Sequence, residues 1–266
     1  IRFGHGIRGN LFVQEGITTQ VPVVIWLHPL SYHSGYNEGY GVQGTTVYHR
    51  LAEKGFAVIA YDQCGFGLRL LEGKNFYRNY PHWSKLGRMV MDARAAVSFA
   101  VEGKGAAKGT IPKFNAKKVF LLGYSCGALT AMYAGALDKR VSGVACFSGW
   151  TPLRDAKNAK ATGGNQRLWQ LHALQPRLGL FHGREQNIPL EYADVIDLIL
   201  PRPCLVVTPK NDRFSDHRAV EKVIRQVIMK NPQIAKTSLK WISPEKSNQF
   251  QAEEHQQFIN WTQSLE

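Results

Sequence analysis

Lys118-Val119-Phe120-Leu121-Leu122-Gly123-Tyr124-Ser125-Cys126-Gly127-Ala128 carries an apolar run straight into a Gly-x-Ser-x-Gly pentapeptide, and a stretch with helical spacing, 128–137, follows at once. Strand, tight turn and helix in that order make the pentapeptide more than a chance match. A serine in such a turn stands exposed at a helix N-terminus. The flanking glycines leave room where a Cβ would strike the adjoining strand and helix. Ser125 is therefore the candidate nucleophile, and the amide of Cys126 is a candidate donor to an oxyanion. The bland alternative is an ordinary glycine-rich strand-to-helix turn.

Working outward, short apolar runs alternate with helical patterns from about residue 21 onwards. The clearest strands are 23–27, 57–61, 119–122, 141–147, 204–208 and 239–242, each rich in Val, Ile, Leu or Phe as doubly covered strands are. Helical spacing marks 45–54, 84–102, 128–137, 216–230 and 252–264, with Gly55 and Gly103 as stops. This order predicts an α/β fold, a mostly parallel central sheet with helices on both faces. Glycines 4, 6, 9 and 16 among apolar residues suggest an edge hairpin in 1–20. From 151 to about 200 the alternation lapses into a polar, then an aromatic and proline-bearing stretch. We read it as a cap inserted after the strand that follows the nucleophile, over the strand ends where ligands bind. A chain of 266 residues fits one such domain, 1–266, better than two.

A serine hydroxyl needs a histidine base steadied by a carboxylate. Of nine histidines, His255 follows the last predicted strand and adjoins the terminal helix. Asp212 closes the preceding strand's carboxyl end, in Val206-Val207-Thr208-Pro209-Lys210-Asn211-Asp212. Asp216 is the nearest rival, but it sits where a helix N-cap is wanted. Asp155 is a distant third. The loop after 23–27 reads His28-Pro29-Leu30-Ser31, and Pro29 has no N–H to give. Leu30 is then the expected second oxyanion donor, with Ser31 behind it, and His28 reads as a brace for the loop.

The net charge of +13 is scattered, with short basic clusters in 104–118 and 154–167. It fits a solvated basic surface, or attraction to an anionic substrate such as an acidic carbohydrate. No recognition motif points to nucleic acid. No run approaches the roughly 18 apolar residues of a membrane span, so the chain reads as soluble. It opens without Met or a leader, which fits a processed secreted or periplasmic protein or a piece of a longer chain, and leaves the compartment open. Cys64, Cys126, Cys146 and Cys204 lie beside apolar runs and read as buried free thiols. The turn Tyr61-Asp62-Gln63-Cys64-Gly65-Phe66-Gly67 lacks dinucleotide or P-loop spacing, and His182 and His217 lack metal-site spacing. No cofactor and no metal are expected. Tyr32, Tyr36, Phe76, Tyr77, Tyr80, Trp83, Trp150 and Trp169 fall in loops or the cap and suit a cleft that grips sugar rings or an apolar group.

With the serine turn, the His-Pro loop and the order Ser125, Asp212, His255, the chain resembles the α/β-hydrolase superfamily from about residue 21 to the end. It looks most like the dienelactone-hydrolase and acetyl-xylan-esterase branch, through 61–67, Tyr80-Pro81-His82-Trp83-Ser84 and Pro201-Arg202-Pro203-Cys204-Leu205-Val206-Val207. The resemblance implies a serine esterase working through an acyl-enzyme on acyl or carbohydrate esters. Two positions depart from it. Dienelactone hydrolases use cysteine as the nucleophile, and glucuronoyl esterases carry arginine directly after their serine, where this chain has Cys126. Two rivals stay open: a serine peptidase of the oligopeptidase kind, and a non-catalytic binding module on a hydrolase scaffold.

Overall fold

The computed structural model describes residues 1–17, 19–37, 45–108, 111–155 and 164–265. Its frame is a nine-stranded sheet in the order β5-β1-β2-β4-β3-β6-β7-β8-β9. Six strands, β4 (Ala57–Tyr61), β3 (Val21–Leu27), β6 (Phe114–Tyr124), β7 (Gly143–Phe147), β8 (Cys204–Val207) and β9 (Leu239–Ile242), form the parallel block. The glycine-marked N-terminus forms the expected hairpin, β1 (Arg2–Phe3) with β2 (Ile7–Phe12), and extends the sheet antiparallel beside β4. β5 (Gly105–Ala106) closes that edge. The predicted strands and helices all occur, with shifts of a few residues at their ends.

Helices cover both faces, which is why the central strands are apolar on both sides. One face carries α4 (Lys85–Glu102), α5 (Cys126–Leu137), α6 (Tyr192–Ile199) and α7 (His217–Lys230). The other carries α1 (Val47–Glu53) and α9 (Ala252–Gln263). Their starts and stops follow from local chemistry. Ser84 accepts from the Gly87 amide at 2.9 Å to cap α4, and Gly103 ends it in the left-handed conformation. Asp216 caps α7 through the Arg218 and Ala219 amides, the role its position suggested. α5 is buried almost all round, wedged between α4 and α6 against β6 and β7.

The stretch 151–200 is shorter as a cap than its spacing suggested. α6 packs on α5 and α7 as part of the sheet's own helical layer. Its apolar residues Val195, Ile196 and Ile199 belong to the core, and a capping box between Glu191 and Asp194 starts it. What reaches the Ser125 cavity is the stretch 164–174, and residues 156–163 lie outside the described part. The short helices α2 (Leu70–Lys74), α3 (Phe76–Asn79) and α8 (Pro232–Ser238) also escaped the sequence reading. They are one or two turns long, too short for a 3.6-residue period to register. All four cysteines are buried and free.

Candidate active site

Ser125 stands between β6 and α5 with φ 54° and ψ −118°, a conformation that strains any residue but glycine. Three neighbours hold it there. The Ser125 N–H donates to Phe147 O at 2.9 Å. A Cβ on Gly127 would lie 1.8 Å from Leu27 O, so the helix can approach β3 only through a glycine. A Cβ on Gly149 would lie 2.2 Å from Ser125 O. The first turn of α5 therefore points at the serine, and neither the Cys126 nor the Leu30 amide is committed to a carbonyl. Both residues line the same cavity as Ser125. Burial pushes the Cys126 thiol up to about 12, so its contribution is the backbone amide and not a thiolate.

The loop bearing Leu30 is braced as expected. The His28 Nδ1–H donates to Pro29 O at 2.7 Å, while Nε2 accepts the Gln63 amide at 3.0 Å. Gln63 Nε2 returns a bond to His28 O at 2.8 Å. With both ring nitrogens committed and the ring buried, the imidazole is pushed down to about 4 and stays neutral. Asp62 ties the same loop to the next one, accepting the Tyr36 amide at 3.0 Å and the Leu68 amide at 2.8 Å. The turn at 61–67 is thus scaffolding for the Ser125 loop.

Asp212 is buried, 1% exposed, at the carboxyl end of β8, and its Oδ1 accepts the Phe214 amide at 2.8 Å. His255 belongs to the terminal helix itself. It lies within α9, one turn past the N-cap Gln251, and is 3% exposed. Both ring nitrogens are buried without a hydrogen-bond partner, so His255 is joined neither to Ser125 nor to Asp212. Burial and the nearby Arg50 push it down to about 4. The start of α9 is fixed by its cap. Gln251 and Glu254 form a capping box, Lys246 pairs with Glu254, and the first turn is helix instead of loop. The loop residues that do reach the elbow are Asn248, hydrogen-bonded to Tyr124, and Phe250, stacked on Tyr124 at 5.2 Å and on Trp26 at 5.0 Å.

The cavity at Ser125 has a histidine of its own. His172 lines it, with Nδ1 2.9 Å from Tyr32 Oη and Nε2 buried without a partner. Burial, then the charge of Arg167, lowers its pKa, so it is held in the basic form. Arg167, Trp150, Tyr192 and Phe214 complete the polar and aromatic lining, and about 20 Å³ is free, room for little more than one water molecule. Of these, only Trp150 was singled out from the sequence. His172 and Arg167 sit in the stretch without periodicity, where nothing in spacing shows which side chains turn inward. The chain is a histidine-bearing insertion brought over the strand ends by the fold alone.

A nine-stranded, mostly parallel sheet with a strained serine at the β6–α5 turn defines a serine hydrolase of the α/β-hydrolase fold. The profile of the serine aminopeptidase family S33 matches residues 30–198, and the chain belongs to that family. No curated protein sequence matches it. Among solved structures it is similar to a carbohydrate esterase family 15 glucuronoyl esterase from Caldicellulosiruptor kristjansonii, at TM-score 0.71 and 18% identity over 96% of this chain and 71% of that one. A glucuronoyl esterase from Teredinibacter turnerae gives 0.72 and 14% over 97% and 69%. A protein assigned as a dienelactone hydrolase from Klebsiella pneumoniae gives 0.60 and 14% over 98% and 92%. At such identities these likenesses establish the shared fold. Among the described residues no helix is long and apolar enough to cross a membrane.

Proposed function

We propose that the chain is a carboxylic ester hydrolase that works through an acyl-enzyme on Ser125. The observation that carries this is the strained serine itself, held at a helix start in the floor of a cavity with two uncommitted amides beside it. A base takes the Ser125 proton as Oγ bonds to the ester carbonyl carbon, and the Cys126 and Leu30 amides receive the oxyanion. The protonated base then gives its proton to the departing alcohol as the C–O bond breaks. Water, deprotonated by the same base, releases the acid and frees the serine.

Two histidines contend for the base. Chain order favours His255, oriented by Asp212, but that relay needs the first turn of α9 to open and the ring to leave its packing against Phe250. His172 lines the same cavity as Ser125, although its Nε2 has no hydrogen-bond partner and so is not bonded to Oγ, and on that shared lining we assign the base to it. Tyr32 then accepts the Nδ1–H and fixes the tautomer that leaves the Nε2 lone pair free.

The family's name raises a peptidase reading, and the cavity argues against an aminopeptidase. Binding a free α-ammonium calls for a carboxylate, whereas the described lining holds none and contains a guanidinium. The deciding experiment compares wild type with Ser125→Ala on a short-chain aryl ester and an aminoacyl anilide, with a fluorophosphonate probe alongside. Ester turnover and labelling that both vanish in Ser125→Ala, a loss of roughly a thousandfold or more, support the reading. A wild type that fails to label is a binding module, and one faster on the anilide is a peptidase.

A further inference from the structure

The cavity that holds Ser125 contains a cation that no carboxylate of the described lining meets, although the charge of Asp212 acts on it from outside that lining. Arg167 lines that cavity, its Nε is buried without a hydrogen-bond partner, and the side chain forms no salt bridge among the described residues. The other half-buried arginines show what this chain ordinarily does with such a group. Arg69 binds Glu72 and Asp92 at 2.7 Å each, and Arg88 binds Asp92 at 2.9 Å. Arg202 donates to four backbone carbonyls. Arg50 on α1, Arg88 and Arg94 also have an Nε without a hydrogen-bond partner, but Arg88 and Arg94 each lie beside a carboxylate. Burying a guanidinium without oxygens around it is costly, so an unpaired one in a reactive cavity calls for a ligand that supplies them.

Its setting is built for such a ligand. The guanidinium lies 4.4 Å from the Phe214 ring centroid, a cation–π contact that helps to hold it at the cavity, and a planar guanidinium suits a two-point contact with a carboxylate. Arg213, exposed, stands 4.5 Å from the same ring and adds a second positive charge. Trp150 lines the cavity too, and its Nε1–H is likewise buried without a partner. Two buried donors with no acceptor, in a lining that holds no carboxylate, match an anionic oxygen group. The oxyanion of the reaction does not use them up, since the Cys126 and Leu30 amides already serve it.

We infer that Arg167 is a carboxylate-binding residue, and that the esters cleaved at Ser125 carry a free carboxylate on their acyl or alcohol part. This rests on the reading of Ser125 as an esterase nucleophile and names its substrate class. The scattered +13 charge would draw the same substrates towards the protein, most strongly at low salt.

The test compares 4-nitrophenyl hemiglutarate with its uncharged methyl ester. Wild type is expected to favour the anionic ester by tenfold or more in kcat/KM. Arg167→Met should lower that ratio at least tenfold, and Arg167→Lys should keep part of it, since a point charge replaces the planar fork. A wild-type ratio of one or less overturns the inference. So does an equal loss on both esters in Arg167→Met, which would assign Arg167 to the oxyanion or to packing. Calorimetry with monomethyl glutarate gives a readout without turnover. Binding to wild type that weakens at least tenfold in Arg167→Met supports the carboxylate site even where neither ester is cleaved, in which case the esterase reading alone fails. No binding to wild type overturns the carboxylate site.

Discussion

His172 and His255 are held by the same electrostatics in two very different places. Each is desolvated, each faces an arginine, Arg167 and Arg50 respectively, and each is thereby kept neutral. His172 lies in the cavity of Ser125, among residues packed with the α4–α5–α6 layer, with one nitrogen tied to Tyr32. His255 lies on the opposite face, in the first turns of a capped helix, against Phe250. A lowered pKa makes a histidine available as a base only if its lone pair can reach the proton, so geometry ranks the two before titration does. Chain order ranks them the other way, which makes the pair a sharp test.

The largest effect is expected from exchanging the bases. His172→Gln should lower kcat on a neutral aryl ester by about a thousandfold, within the range of general-base catalysis, and slow fluorophosphonate labelling in parallel. His255→Leu should stay within about tenfold of wild type, because the change leaves the cavity intact. The reverse pattern would show that α9 opens in solution and would return the base to His255 and its orientation to Asp212.

The second effect belongs to stability. His28 and His255 are both buried and pushed from 6.5 to about 4. Between those values the unfolded chain takes up protons that the folded chain refuses, so stability falls as pH drops from 6.5 towards 4. Each ring contributes about 2 kcal/mol to that fall by pH 4.5. His255→Leu should remove one share, read as a smaller difference between denaturation midpoints at pH 7 and pH 4.5. It should also cost little at pH 7, since it deletes two buried, unsatisfied nitrogens. An unchanged difference would mean that the ring spends its time in water and that the α9 cap is looser than its hydrogen bonds imply.

The contrast also shows what a sequence makes legible. Ser125, its flanks, the parallel strands and the caps at Ser84 and Asp216 are local patterns, and each stands where it was expected. Leu30 was reached by excluding Pro29, and it does line the cavity. The base is a non-local matter. Chain order brought His255 near the last strand, but within α9 its ring packs on Phe250 and neither nitrogen has a partner. His172 and Arg167 arrive in an aperiodic stretch, and tertiary packing alone sets which of its side chains face Ser125.

Smaller shifts follow from the charges beside each ring. The acidic limb of kcat/KM should lie below pH 6.5, because burial and Arg167 hold the His172 proton off. Removing that cation in Arg167→Met makes the protonated ring less unfavourable, so the limb should move up. Arg50→Met should leave it in place. A limb near 4 that moves with Arg50 instead would belong to His255.

The smallest change probes how the chosen ring is held. Tyr32 Oη, 2.9 Å from His172 Nδ1, stands where a triad has a carboxylate, but a neutral phenol orients the ring without balancing the charge it gains. Desolvation and Cys126 raise the Tyr32 pKa, so the phenol stays neutral through the working range. Tyr32→Phe therefore deletes one neutral hydrogen bond, worth about 1 kcal/mol, and should lower kcat about fivefold with the acidic limb nearly unmoved. A loss near that of His172→Gln would mean that the tautomer depends wholly on Tyr32. No loss at all would mean that the Nε2 lone pair of His172 is not what takes the proton from Ser125.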